Sequence, residues 1–141
     1  MRRELYDPLY VEFFYYFNIA RDYFECHEVM EHFWLEEGRA PIYQGLLQVA
    51  VCLYHHQNNN VNGAVKLMTA AVQKLALEHE SKLGINLRKL KADAELYLDR
   101  LLSIEEAPFA PYDIDIEITD PELLDAVNHL IDHPPTPHDE D

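Results

Sequence analysis

Two side-chain pairs, His27 with Glu31 and Glu28 with His32, are each spaced four residues apart, so on a helix the members of each pair are surface neighbours. The two pairs point about 100 degrees apart. Trp34 extends the His27 and Glu31 stripe and Phe24 lies near it, so that stripe is expected to be partly buried, whereas Glu28 and His32 belong to a flank. The string HEVMEH differs from the zinc-protease pattern H-E-x-x-H because Glu31, not a histidine, stands four after His27. A His and a Glu one turn apart can still supply two ligands to a divalent metal, and His55 could supply a third.

Gln44, Gln48 and His55 line one side of the next apolar segment. Packing that segment against the first would gather His27, Glu31, Gln44, Gln48 and His55 into one interhelical polar cluster, the leading candidate site. His27 or His55 would carry a proton or bind a metal, and Glu31 would act as ligand, base or orienting carboxylate. The structural reading is weightier: buried polar groups in a bundle satisfy one another and fix helix register.

Other chemistries are weaker. Cys26 points about 100 degrees away from His27 on a helix, so adjacency makes no nucleophilic pair, and both Cys26 and Cys52 read as reduced core thiols of a cytoplasmic protein. Asn58, Asn59, Asn60, Asn62 and Gly63 mark a turn without the spacing of a phosphate loop. His129, His133 and His138 read as solvated. Gly45 inside a helix costs about 1 kcal/mol relative to Ala, which close packing near Trp34 or Tyr43 would justify.

The elements that position these residues are helical. Asp7-Pro8 starts an aromatic helix through residue 20, Asp22 caps a second that stops near Gly38, and Pro41 opens a third through residue 57. After the Asn-rich turn a fourth helix begins at Ala64; a break at 82–86 precedes a fifth carrying Leu87, Leu90, Ala94, Tyr97, Leu98 and Leu101 on one face. YDIDIEI alternates like a strand but has no mate, so it is expected to lie extended on the helices with Ile114, Ile116 and Ile118 inward. Asp120-Pro121 caps a short last helix.

The expected fold is an all-α single-domain bundle of five to six mainly antiparallel helices with an extended acidic C-terminal arm. A helical domain spans 1–133, with its main body at 7–103 and the arm and short helix at 105–133, followed by a disordered tail at 134–141.

The chain has 141 residues and a formal charge of -15. Its distribution is uneven: residues 1–104 hold 14 acids against 11 bases, while 105–141 hold 12 acids and no base. Nucleic acid is therefore a poor partner, with residues Lys82, Arg88, Lys89 and Lys91 as the one local basic surface. No apolar run reaches the length of a membrane span. The aromatic residues from Tyr6 to Phe17 suit a core or a homodimer surface rather than base stacking.

The blocks FNIARDYFECHEVMEHFW, IYQGLLQVAVCLYHH and NNNVNGAVKLM together resemble the small helical bacterial and archaeal family known as domain of unknown function 309. The resemblance runs from about residue 14 to residue 75 through Asn18, Tyr23, Phe24, His27, Glu28 and Glu31, then Tyr43, Gln44, Gly45, Gln48 and His55. Ala20 stands where relatives often have Gly, and Asn62-Gly63 replaces a tighter Gly-Asn turn. The resemblance implies an all-α fold and brings no established activity. An interaction or structural-regulatory role without a required cofactor is thus the first expectation. A metal-assisted hydrolase using His27, Glu31 and His55 is the alternative.

Overall fold

Proline and short polar caps set the helix starts. Asp7 accepts a hydrogen bond from the Leu9 N–H (2.8 Å) just before Pro8, and Asp22 accepts from the Glu25 N–H at 3.1 Å. Asn60, Asn86 and Asp120 cap later helices in the same manner. The computed structural model describes residues 6–78 and 83–136. Within them lie α1 (Pro8–Phe14), α2 (Tyr23–Glu36), α3 (Pro41–Gln57), α4 (Val61–Ala76), α5 (Leu87–Leu102) and α6 (Pro121–Asp132). The protein is an all-α, single-domain bundle of six helices, without a β-sheet among the described residues.

Helix order translates into antiparallel neighbours where connections are short. Phe24 meets Tyr54 and Phe33 meets Tyr43, so α2 and α3 run in opposite directions. Gly45, at the start of α3, lies against Lys74 and Leu75 at the end of α4, where an added Cβ would come within 3.2 Å of the Lys74 Cβ. The expected close approach at Gly45 is therefore real, but α4 makes it rather than Trp34 or Tyr43. The fourth helix also begins earlier than its turn-like sequence suggests: Val61–Gly63 form its first turn because Asn60 caps it, accepting from the Gly63 N–H at 2.9 Å.

The aromatic first helix is core. Tyr10, Phe13, Phe14, Tyr16 and Phe17 are all buried. It is not one uniform helix. After Phe14 the winding loosens into a π-helical segment, Tyr15–Ala20, which closes on Arg21 in the left-handed conformation at φ 55°. Glycine usually occupies such a position; an arginine there costs about 1 kcal/mol of backbone strain. Its side chain has an evident use.

Residues 108–120 contain no helix, so their backbone groups need partners elsewhere. Asn18 supplies two: its Nδ2 donates to the Ile116 carbonyl (2.8 Å) and its Oδ1 accepts from the Ile116 N–H (3.0 Å). This is the bonding pattern of a neighbouring strand, delivered by one amide side chain. Arg21 donates to the Ile114 carbonyl at 2.9 Å and pairs with Asp115, while the Tyr23 hydroxyl donates to Asp113 at 2.6 Å. At the far end the Asn86 N–H donates to the Glu117 carbonyl and the Thr119 N–H to the Gly84 carbonyl, both at 2.8 Å. Ile114 and Ile116 are buried and Ile118 is half-buried.

Gly84 is constrained twice over. Its φ is +78°, and a Cβ there would stand 2.7 Å from the Tyr6 hydroxyl oxygen. The break before α5 is thus a close crossing. The part of that break at 79–82, and the expected tail beyond residue 136, lie outside the described residues.

Replacing Asn18 with Ala removes both partners of the Ile116 backbone. Urea unfolding followed by circular dichroism should show a loss of about 2 kcal/mol; a loss below about 0.5 kcal/mol would contradict the bonding described.

Candidate functional site

Phe24, His27, Glu31 and Trp34 share one stripe of α2, with His27 and Trp34 half-buried and Phe24 and Glu31 exposed. His27 Nε2 lies 3.3 Å from Glu31 Oε1, and His27 Nδ1 lies 3.5 Å from Glu28 Oε2. Glu28 therefore joins the His27 stripe rather than pairing with His32. His32 reaches Glu36 instead, at 3.8 Å. These are solvent-screened contacts and contribute little to stability.

Gln44, Gln48 and His55 form a half-buried stripe on α3, as their spacing requires. His55, however, is engaged at the end of α3, where its Nδ1 lies 3.3 Å from the Asn60 side-chain amide. The register that places Phe24 beside Tyr54 leaves His27 nearly one turn further along the bundle. Among the described residues no three His, Cys, Asp or Glu side chains gather to hold a metal ion. The expected metal triad of His27, Glu31 and His55 is corrected accordingly: only its intrahelical pair forms. This argues against the metal-assisted hydrolase.

Trp34 Nε1 and Gln48 Oε1 are buried without a hydrogen-bond partner among the described residues, as is the Tyr16 hydroxyl. Arg39, in the left-handed conformation after α2, lies over the Trp34 ring at 5.7 Å. Tyr43 packs edge-on against Phe33, with ring centroids 4.8 Å apart.

The histidine in the interior is His56, one residue beyond the expected one. It is 4% exposed, and its Nδ1 lies 2.6 Å from the Tyr97 hydroxyl oxygen. Burial holds Tyr97 above the ordinary tyrosine range. Tyr97 and a neutral His56 therefore share one hydrogen bond inside the bundle. Phe109 packs on both rings, 4.9 Å from His56 and 5.5 Å from Tyr97. Arg100 lies over Phe109 at 4.4 Å and over Tyr112 at 5.1 Å. A helical period would have revealed the difference: Gly45, Val49, Cys52 and His56 continue the buried face of α3, whereas Gln44, Gln48 and His55 lie on its flank.

Both cysteines are free, buried thiols. Cys26 donates a weak hydrogen bond to the Phe13 carbonyl at 3.8 Å, and burial pushes its thiol well up. Burial likewise pushes Cys52 up to about 12, so neither offers a thiolate nucleophile at neutral pH. Of the basic group, Lys89 is committed to Asp93 (2.8 Å) and Lys91 to the Glu78 carbonyl (2.7 Å); Arg88 is exposed and Lys82 lies outside the described residues. His129 and His133 are exposed and stacked at 4.2 Å, and His138 also lies outside the described residues.

Burial lowers the His56 pKa below its ordinary 6.5, so the unfolded chain takes up a proton first as pH falls. The stability that neutral His56 contributes is present above about pH 6.5 and declines below it. Wild-type protein should therefore exceed His56→Gln in melting temperature at about pH 8, with the gap narrowing toward about pH 5. A constant gap would contradict the buried neutral assignment.

Residues 10–67 match the model of a family described as a domain of unknown function, DUF309. Over 80 residues the chain is 39% identical to the uncharacterized protein YpuF of Bacillus subtilis (strain 168), a stretch covering 55% of this chain and 46% of that protein. The chain thus spans about half the length of the curated relative it matches. No solved structure matches it. The likeness to the DUF309 family thus lies in the stretch from the aromatic core helix through the beginning of α4, which carries Asn18, His27, Glu31 and both histidines of α3.

Proposed function

We propose that the chain is an interaction or structural-regulatory protein of the cytoplasm that meets a protein partner through the outer face of α2 and α3, a second copy of itself being the first partner to consider. The observation carrying this reading is an aromatic pair left at the surface. Phe24 and Tyr54 are 42% and 38% exposed although they come from different helices and approach within 6.1 Å. Large rings with polar neighbours are the side chains that anchor protein interfaces.

The polar stripe supports the same face. His27, Glu31 and His55 flank the aromatic pair in sequence and register. The cluster then acts in recognition rather than in bond-breaking. No described helix is long and apolar enough to cross a membrane.

Light scattering across a broad concentration range should show a reversible dimer that Phe24→Glu with Tyr54→Glu converts to monomer without loss of helix content. A wild-type protein that stays monomeric throughout would remove self-association from the account.

A further inference from the structure

A cavity of about 250 Å³ opens between the start of α1 and the turn joining α2 to α3, away from the Phe24 and Tyr54 face. Its walls are aromatic. Tyr6 and Tyr10 lie nearly parallel, 5.8 Å apart with 13° between their planes, while Tyr43 stands at 79° to Tyr10 and at 74° to Phe33. Rings at such different inclinations present π-faces and edges to one half-open space.

The carboxylates of Asp7 and Glu37 complete the lining. Among the described residues neither is paired with a cationic side chain. One Asp7 oxygen caps α1 through the Leu9 N–H, and Glu37 is exposed at the end of α2. The C-terminal end of α2 and the N-terminal end of α3 oppose one another across a short turn, and the Asp7 carboxylate offsets the start of α1. The carboxylates therefore set the sign of the field. Tyr43 registers it: burial first, then the nearby Glu37 and Glu78, raises its hydroxyl above the usual range.

Two of the rings are fixed before any ligand arrives. The Tyr10 hydroxyl donates to the Leu83 carbonyl at 2.6 Å and the Tyr6 hydroxyl donates to Asp120, so neither ring is free to turn away. Preorganisation of this sort removes part of the entropy cost of binding. The volume is just under the range of roughly 300–1,000 Å³ usual for small-molecule sites, which favours a compact head group.

From this combination of aromatic walls, two carboxylates unpaired among the described residues and small volume, we infer that the cavity binds an alkylammonium group. Methylated nitrogen spreads its charge over an apolar surface, which suits ring faces, and it cannot demand the tight hydrogen bonds that a bare ammonium would leave unmade. A neutral group of the same shape gains the apolar contact and loses the electrostatic attraction.

Choline chloride titrated into the full chain at constant ionic strength should give saturable NMR shifts of the Tyr6, Tyr10, Phe33 and Tyr43 ring signals. The uncharged isostere 3,3-dimethylbutan-1-ol should bind at least roughly fivefold more weakly. Glu37→Gln, an exposed change that leaves the core untouched, should weaken choline roughly threefold and leave the isostere unaffected. Nε-trimethyl-lysine in place of choline separates the two sources of the group: tighter choline binding identifies a free small molecule, tighter trimethyl-lysine binding a modified protein side chain. Absence of saturable shifts, equal binding of the neutral isostere, or choline affinity unchanged by Glu37→Gln would overturn the assignment.

Discussion

A buried backbone that belongs to neither a helix nor a sheet must find its hydrogen bonds one at a time, and this requirement organises the molecule. Residues 108–120 lie along the bundle without helix or sheet, largely exposed, and meet that condition where Ile114 and Ile116 enter the core. Asn18 satisfies Ile116 in both directions, and Arg21 and Tyr23 secure the residues just before it. All three come from the corner between α1 and α2. The looser π-helical winding of Tyr15–Ala20 and the strained backbone at Arg21 accompany that task, since they deliver Asn18 and Arg21 to the same strip of chain.

The acidic C-terminal region acquires a physical role from the same contacts. Asp113 and Asp115 face Arg21, Glu117 accepts from Asn86, and Asp120 both receives the Tyr6 hydroxyl and caps α6. Those carboxylates are employed in attaching the segment to the helices, so the large formal charge is only partly available to an outside partner. His56 and Tyr97 perform the matching task further back, forming the surface on which Phe109 packs. Much of the polar chemistry that draws the eye in the sequence is thus architectural.

What could be read beforehand follows from how local each signal is. Helix starts were legible because a cap and its N–H partner lie two or three residues apart, as at Asp7, Asp22 and Asp120. The inward direction of Ile114 and Ile116 was legible from alternation alone. Asn18 as the mate of that alternating segment was not, because its partner is 98 residues away and is met by a side chain rather than by a strand. Helical period places Gln44, Gln48 and His55 on one stripe but does not say how far along the bundle His27 stands, and a metal triad depends on that distance. His56 was hidden by its neighbour; following Gly45, Val49 and Cys52 to their next turn identifies it.

Amide hydrogen exchange at Ile116 tests the organising constraint most directly. Its N–H donates only to the Asn18 side chain in the bonding described, in a segment with no helix of its own. The account predicts protection comparable to the amides in the middle of α2 and α3, lost only when the bundle opens as a whole. Exchange of Ile116 at the rate of a free chain while those helices remain protected would contradict it.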